Sequence, residues 1–126
     1  MDNRQPRSVM VVEDNDDYRR VLAQFLAFYG FDPVRDAPDG QAAWEAFQQE
    51  PADLLITDIN MPRMSGIELM AKVRELRPSL PIIVITGYAQ ELHHLSPFDV
   101  QATLIKPFKM ALLDAEIRRI FPSESA

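Results

Sequence analysis

Leu54-Leu55-Ile56-Thr57-Asp58 is a short apolar run that closes on a carboxylate and then breaks at Asn60-Met61-Pro62. A run that is continuously apolar over this length and bounded by turn residues is the pattern of a strand buried on both faces, as in a parallel sheet. Asp58 then stands at the carboxyl end of that strand, the edge on which open parallel α/β sheets hold their ligands.

The same pattern recurs on both sides of this run. Upstream, Ser8-Val9-Met10-Val11-Val12 ends at once in Glu13-Asp14-Asn15-Asp16-Asp17. Asn15 or Asp16 can cap the helix that follows, whose Tyr18, Val21, Leu22, Phe25, Leu26 and Tyr29 recur at helical spacing until Gly30. Residues 31–35 make a short strand, and Ala37-Pro38-Asp39-Gly40 a turn into a helix that carries Ala43, Trp44 and Phe47 toward the sheet and stops at Pro51.

Downstream, residues 62–66 form a loop into a third helix marked by Ile67, Met70, Val73 and Leu76 and ended by Pro78. Pro81-Ile82-Ile83-Val84-Ile85 is strongly strand-like and ends at Thr86-Gly87. Leu92 and Leu95 before Ser96-Pro97 mark a short fourth helix. Residues 102–105 form a fifth strand ending in Lys106-Pro107, and Met110, Leu113, Ile117, Ile120 and Phe121 line a last helix. The expected fold is α/β: a single doubly wound domain with a five-stranded parallel sheet and five helices, the fourth short. Residues 1–8 are a polar lead, 9–121 the domain, and 122–126 a flexible tail.

The 126 residues are 47% hydrophobic, enough for one core, and contain no cysteine, which excludes a disulfide framework or a thiolate metal site. The formal net charge is -6 and no basic stripe appears, so direct nucleic-acid binding is not expected. No stretch is apolar enough for a signal peptide or membrane insertion, and a cytoplasmic location is the default.

With all strands parallel, the carboxyl ends open on one edge and bring Glu13, Asp14, Asp58, Thr86 and Lys106 toward a common site. Two carboxylates about 4 Å apart repel by roughly 4 kcal/mol at an effective dielectric near 20, so three of them call for a hard cation. Mg²⁺ suits such a set because it takes oxygen ligands and bridges to phosphate oxygens. A carboxylate beside Mg²⁺, with an ammonium and a hydroxyl placed for phosphoryl oxygens, has the parts for phosphoryl transfer onto Asp58.

These segments resemble the receiver domain of bacterial two-component response regulators, of the CheY-like kind. The resemblance rests on Val11-Val12-Glu13-Asp14-Asn15, on Thr57-Asp58-Ile59-Asn60-Met61-Pro62 with Met64 and Gly66, on Ile85-Thr86-Gly87, and on Lys106-Pro107-Phe108. It implies a flavodoxin-like strand order 2-1-3-4-5 and a cis bond before Pro107. It implies Asp58 as phosphoacceptor, Mg²⁺ held by Glu13, Asp14, Asp58 and the main-chain carbonyl of Asn60, and Thr86 and Lys106 as phosphoryl contacts. The implied donor is a phosphohistidine on a histidine kinase or histidine phosphotransfer protein, and the implied role is a signalling switch rather than an enzyme, with an output partner the sequence does not name.

Two features depart from the family pattern. Thr103 stands three before Lys106, where an aromatic that moves with the threonine is usual, and Asp99-Val100 replaces a common Gly-Ala pair. A receiver module of a larger regulator or hybrid kinase is the alternative reading. A Mg²⁺-dependent aspartyl-phosphate hydrolase is a further one, disfavoured because Asn60 stands where such enzymes carry a second Asp.

Overall fold

The computed structural model describes residues 7–95 and 100–122, the His94 side chain excepted. The expected tail from 123 onward, most of the polar lead, and the Ser96-Pro97-Phe98-Asp99 stretch lie outside the described residues. Five strands, β1 (Val9–Val12), β2 (Val34–Ala37), β3 (Leu54–Asp58), β4 (Ile82–Thr86) and β5 (Ala102–Ile105), form one parallel sheet in the order β2-β1-β3-β4-β5. Four α-helices, α1 (Asp16–Tyr29), α2 (Gly40–Gln49), α3 (Gly66–Leu76) and α4 (Met110–Ile120), cover it.

The inner strands β1, β3 and β4 are buried along their whole length, which is why their sequences are unbroken apolar runs. Successive side chains point to opposite faces. Met10, Val12, Leu55, Ile82 and Val84 pack with Phe47, Met70 and Val73 of α2 and α3. Val9, Val11, Leu54, Ile56, Ile83 and Ile85 pack with Leu22, Leu26, Leu113 and Ile117 of α1 and α4. Trp44, expected to face the sheet, is only partly buried against the first of these layers.

Local chemistry sets the helix starts. Asn15 accepts the Tyr18 N–H at 2.8 Å, Asp39 accepts the Ala42 N–H at 2.8 Å, and Ser65 forms a reciprocal capping box with Glu68. Gly30, at φ 129°, ends α1 in a conformation that side-chain-bearing residues rarely adopt.

Two elements differ from the sequence expectation. The fourth helix is a 3₁₀ segment, Ala89–Leu95, so the α-helices number four among the described residues. Leu95 is buried and Leu92 packs on the core, a spacing of three that suits a 3₁₀ turn as well as an α-helix. Strand β2 is displaced from 31–35 to Val34–Ala37. Phe31 instead turns into the core between Tyr29 and Phe121, and a cis Asp32–Pro33 bond precedes the strand.

Candidate functional site

The strand registers align the chemistry-bearing ends. Val12 pairs with Thr57, Asp58 with Ile85, and Thr86 with Ile105, so Glu13, Asp58, Thr86 and Lys106 emerge on one edge. Asp58 is buried, and its Oδ1 accepts the backbone N–H of Ile59 at 2.6 Å and of Asn60 at 3.3 Å. Its Oδ2 accepts from Lys106 Nζ at 2.6 Å. Lys106 Nζ also donates to Glu13 Oε1 at 2.8 Å, while Glu13 Oε2 accepts the Asn15 N–H at 2.9 Å. Asp14 is exposed, and carboxylate oxygens of Glu13, Asp14 and Asp58 all lie within 4.8 Å of one another. Lys106 follows β5 directly and leads into a cis Lys106–Pro107 bond, as the resemblance implies.

Three acids facing one ammonium leave the cluster negative. Burial raises the Glu13 carboxyl above its ordinary range, and the nearby Asp58 charge adds to this, while Lys106 and the Asn15 N–H only partly offset it. For Lys106 burial acts the other way, but its hydrogen bonds to Asp58 and Glu13 outweigh it and raise its pKa, so the ammonium is firmly charged. Tyr18 lies over this ammonium, with Nζ 5.0 Å from the ring centroid, and meets Phe108 edge-on. A buried set of hard oxygen donors with excess negative charge and one exposed member suits a small divalent cation, and the residues present therefore fit Mg²⁺.

Thr86 is fully buried at the same edge, but its hydroxyl is engaged elsewhere. It donates to Glu91 Oε1 at 2.8 Å and accepts the Tyr88 N–H at 3.1 Å. The Asn60 side-chain amide donates to the other oxygen of Glu91. Glu13, Asp14, Asp58 and Lys106 are thus held together, with the Asn60 backbone N–H on Asp58, while the Thr86 hydroxyl is joined to the Asn60 side chain by a residue the sequence did not single out. Glu91 adds nothing to the Leu92 and Leu95 spacing that marks this segment, and only the turn after β4 brings it back to Thr86.

Asp39 and Arg63 are a second pair absent from the sequence reading. Arg63, at φ 72° in the loop after β3, donates to the buried Asp39 at 2.6 Å and ties that loop to the start of α2. The Ala42 N–H holds the Asp39 carboxyl below its ordinary value of 3.8, with Arg63 adding to the effect against burial. Asp39→Ala is expected to destabilise by about 1–2 kcal/mol through loss of the cap. Asp39→Asn keeps an acceptor oxygen but not the charge. A lowered folded-state pKa means the charge-dependent advantage of the parent over Asp39→Asn is complete above the ordinary value and fades as pH falls through the lowered one. Urea titrations of both chains at pH 7 and near pH 3 measure it, and a difference that does not shrink in acid would contradict the assignment.

The family model described as the response regulator receiver domain matches residues 9–118. The chain is 38% identical over 117 residues to the response regulator receiver protein CpdR of Brucella abortus, covering 90% of this chain and 96% of that one. It is 31% identical to the chemotaxis protein CheY-3 of Vibrio cholerae, with 90% of each covered. Among solved structures, the response regulator protein TrrA of Thermotoga maritima, crystallised in complex with Mg²⁺-BeF, superposes with a TM-score of 0.83 at 27% identity, covering 91% of this chain and 99% of that one.

Proposed function

The chain belongs to the response regulator receiver domain family, and on that premise we propose that it is a phosphoacceptor switch working through Asp58. The observation that carries this reading is Asp58 itself, a buried carboxylate held at 2.6 Å by Lys106 within a cluster of two further acids. A carboxylate oxygen attacks the phosphorus of a phosphohistidine on a partner kinase or phosphotransfer protein. An O–P bond forms as the N–P bond breaks, and the imidazole leaves with the electron pair. The backbone N–H groups of Ile59 and Asn60 hold the Asp58 carboxylate in a fixed orientation, which lowers the entropic cost of reaching the in-line geometry. Lys106 supplies donors for phosphoryl oxygens beside Asp58, and Thr86 a hydroxyl from the neighbouring strand.

Glu13, Asp14, Asp58 and the main-chain carbonyl of Asn60 would hold Mg²⁺, which when bound neutralises charge on the transferring phosphoryl group. The phosphorylated surface is the output, read by a partner protein in the cytoplasm. No helix among the described residues is long and apolar enough to cross a membrane.

Mg²⁺ is expected to raise the melting temperature by about 10 °C at a hundredfold excess over its Kd, because an ion bound only by the folded cluster stabilises by mass action. Asp14→Ala should flatten that response; a mutant that tracks the parent would place the ion elsewhere. Incubation with Mg²⁺ and acetyl phosphate is expected to give one adduct per chain, whereas sustained phosphate release would favour a hydrolase.

A further inference from the structure

We propose that Glu91 is a positioning residue that restrains the switch, holding the Thr86 hydroxyl and the Asn60 amide until a phosphoryl group on Asp58 displaces it. The inference rests on the reading of Asp58 as phosphoacceptor and goes beyond it in naming what opposes phosphorylation. Its basis is the single carboxylate that spans the ends of two strands, one oxygen accepting from Thr86 at 2.8 Å and the other from Asn60.

A threonine hydroxyl has one proton. The Thr86 proton is directed to Glu91 at 2.8 Å, with the Tyr88 carbonyl farther off at 3.5 Å, and the Tyr88 N–H already occupies an acceptor site of the same oxygen. Thr86 can donate to a phosphoryl oxygen only by releasing Glu91. The carboxylate then faces a newly anionic group across the edge, so charge also favours its departure. Glu91 belongs to the 3₁₀ segment Ala89–Leu95, whose Leu92 and Leu95 pack on the core, so its release frees the polar side of the segment while the apolar side stays seated.

This supplies a route outward that needs no ring at position 103, where the exposed Thr103 stands on β5. A ligand shifts a conformational equilibrium only through differential contacts with the two states, and the exchange of Thr86 from Glu91 to the phosphoryl group is such a contact.

Beryllium fluoride with Mg²⁺, titrated calorimetrically into the full chain, tests this. Removing a competing hydrogen bond of ordinary strength is expected to make Glu91→Ala bind about fivefold tighter than the parent. In a Thr86→Ala background the same change is expected to alter affinity by less than about twofold, because the group it restrains is gone. Should Glu91→Ala fail to fold, Glu91→Gln keeps the shape and one acceptor oxygen but not the charge, and is expected to bind about twofold tighter. Binding by the folded Glu91 variant equal to or weaker than the parent, or a gain that persists undiminished without Thr86, overturns the proposal while leaving the phosphoacceptor reading intact. A parent chain that binds no beryllium fluoride overturns both.

Discussion

Asp58→Asn treated with Mg²⁺ and acetyl phosphate is expected to show no phosphoryl adduct by intact mass under conditions where the parent is modified to completion. An amide oxygen is a far weaker nucleophile than a carboxylate, and the two neighbouring acids are held differently from Asp58. Glu13 is tied by both oxygens to Lys106 and the Asn15 N–H, and Asp14 is exposed. The fold should survive the change. Lys106 keeps Glu13 as a partner, and one charge leaves a cluster of three acids and one ammonium, so the Mg²⁺-free mutant should melt at or above the parent. A full adduct in Asp58→Asn would move the nucleophile to another residue, and a large loss of stability would mean that the Lys106 contact outweighs the repulsion.

Gly66→Ala is expected to be among the most damaging small substitutions in the chain. A β-carbon at this position would lie 2.0 Å from the carbonyl oxygen of Asp58 and 2.9 Å from the Ile59 Cα, both backbone atoms that cannot rotate aside. The first turn of α3 packs this closely because the Gly66 N–H donates to the Ile59 carbonyl at 2.8 Å. Relieving the overlap requires moving α3 away from the end of β3, at a cost of about 3 kcal/mol, and it also shifts the Asp58 backbone. Gly87→Ala is the control: a β-carbon there meets nothing within 4 Å, so the change should stay within about 0.5 kcal/mol. Urea midpoints of the two variants, with adduct yield from acetyl phosphate, measure both consequences. Equal stability for the two would show that the loop after β3 accommodates the methyl group freely.

The inner strands were legible because burial on both faces leaves only apolar residues, and each run ends abruptly in a residue with chemistry to offer. Parallel register then fixed which ends meet, and Glu13, Asp58 and Lys106 could be grouped from sequence alone. Strand β2 was harder to locate because it lies at the sheet edge. Its Arg35 is partly buried and donates to the Ala46 and Glu50 carbonyls, so the strand carries the adjacent charges Arg35 and Asp36 between Val34 and Ala37 and marks no clear start. The fourth helical segment was too short for its period to separate α from 3₁₀ geometry. Glu91 and the Asp39–Arg63 pair are not legible in the sequence for a common reason. Each is a polar contact made at the end of an element or in a short segment, where a single charged residue carries no periodicity from which a partner could be inferred.

Borohydride reduction of the acetyl phosphate-treated chain, followed by peptide sequencing in the mass spectrometer, locates the acyl phosphate directly, since the reagent converts the phosphorylated carboxyl to a primary alcohol. Reduction confined to Asp58, dependent on Mg²⁺ and absent from the untreated chain, is the expected result. Reduction at Glu13, Asp14 or any other carboxyl with Asp58 unchanged would contradict the assignment of Asp58 as phosphoacceptor.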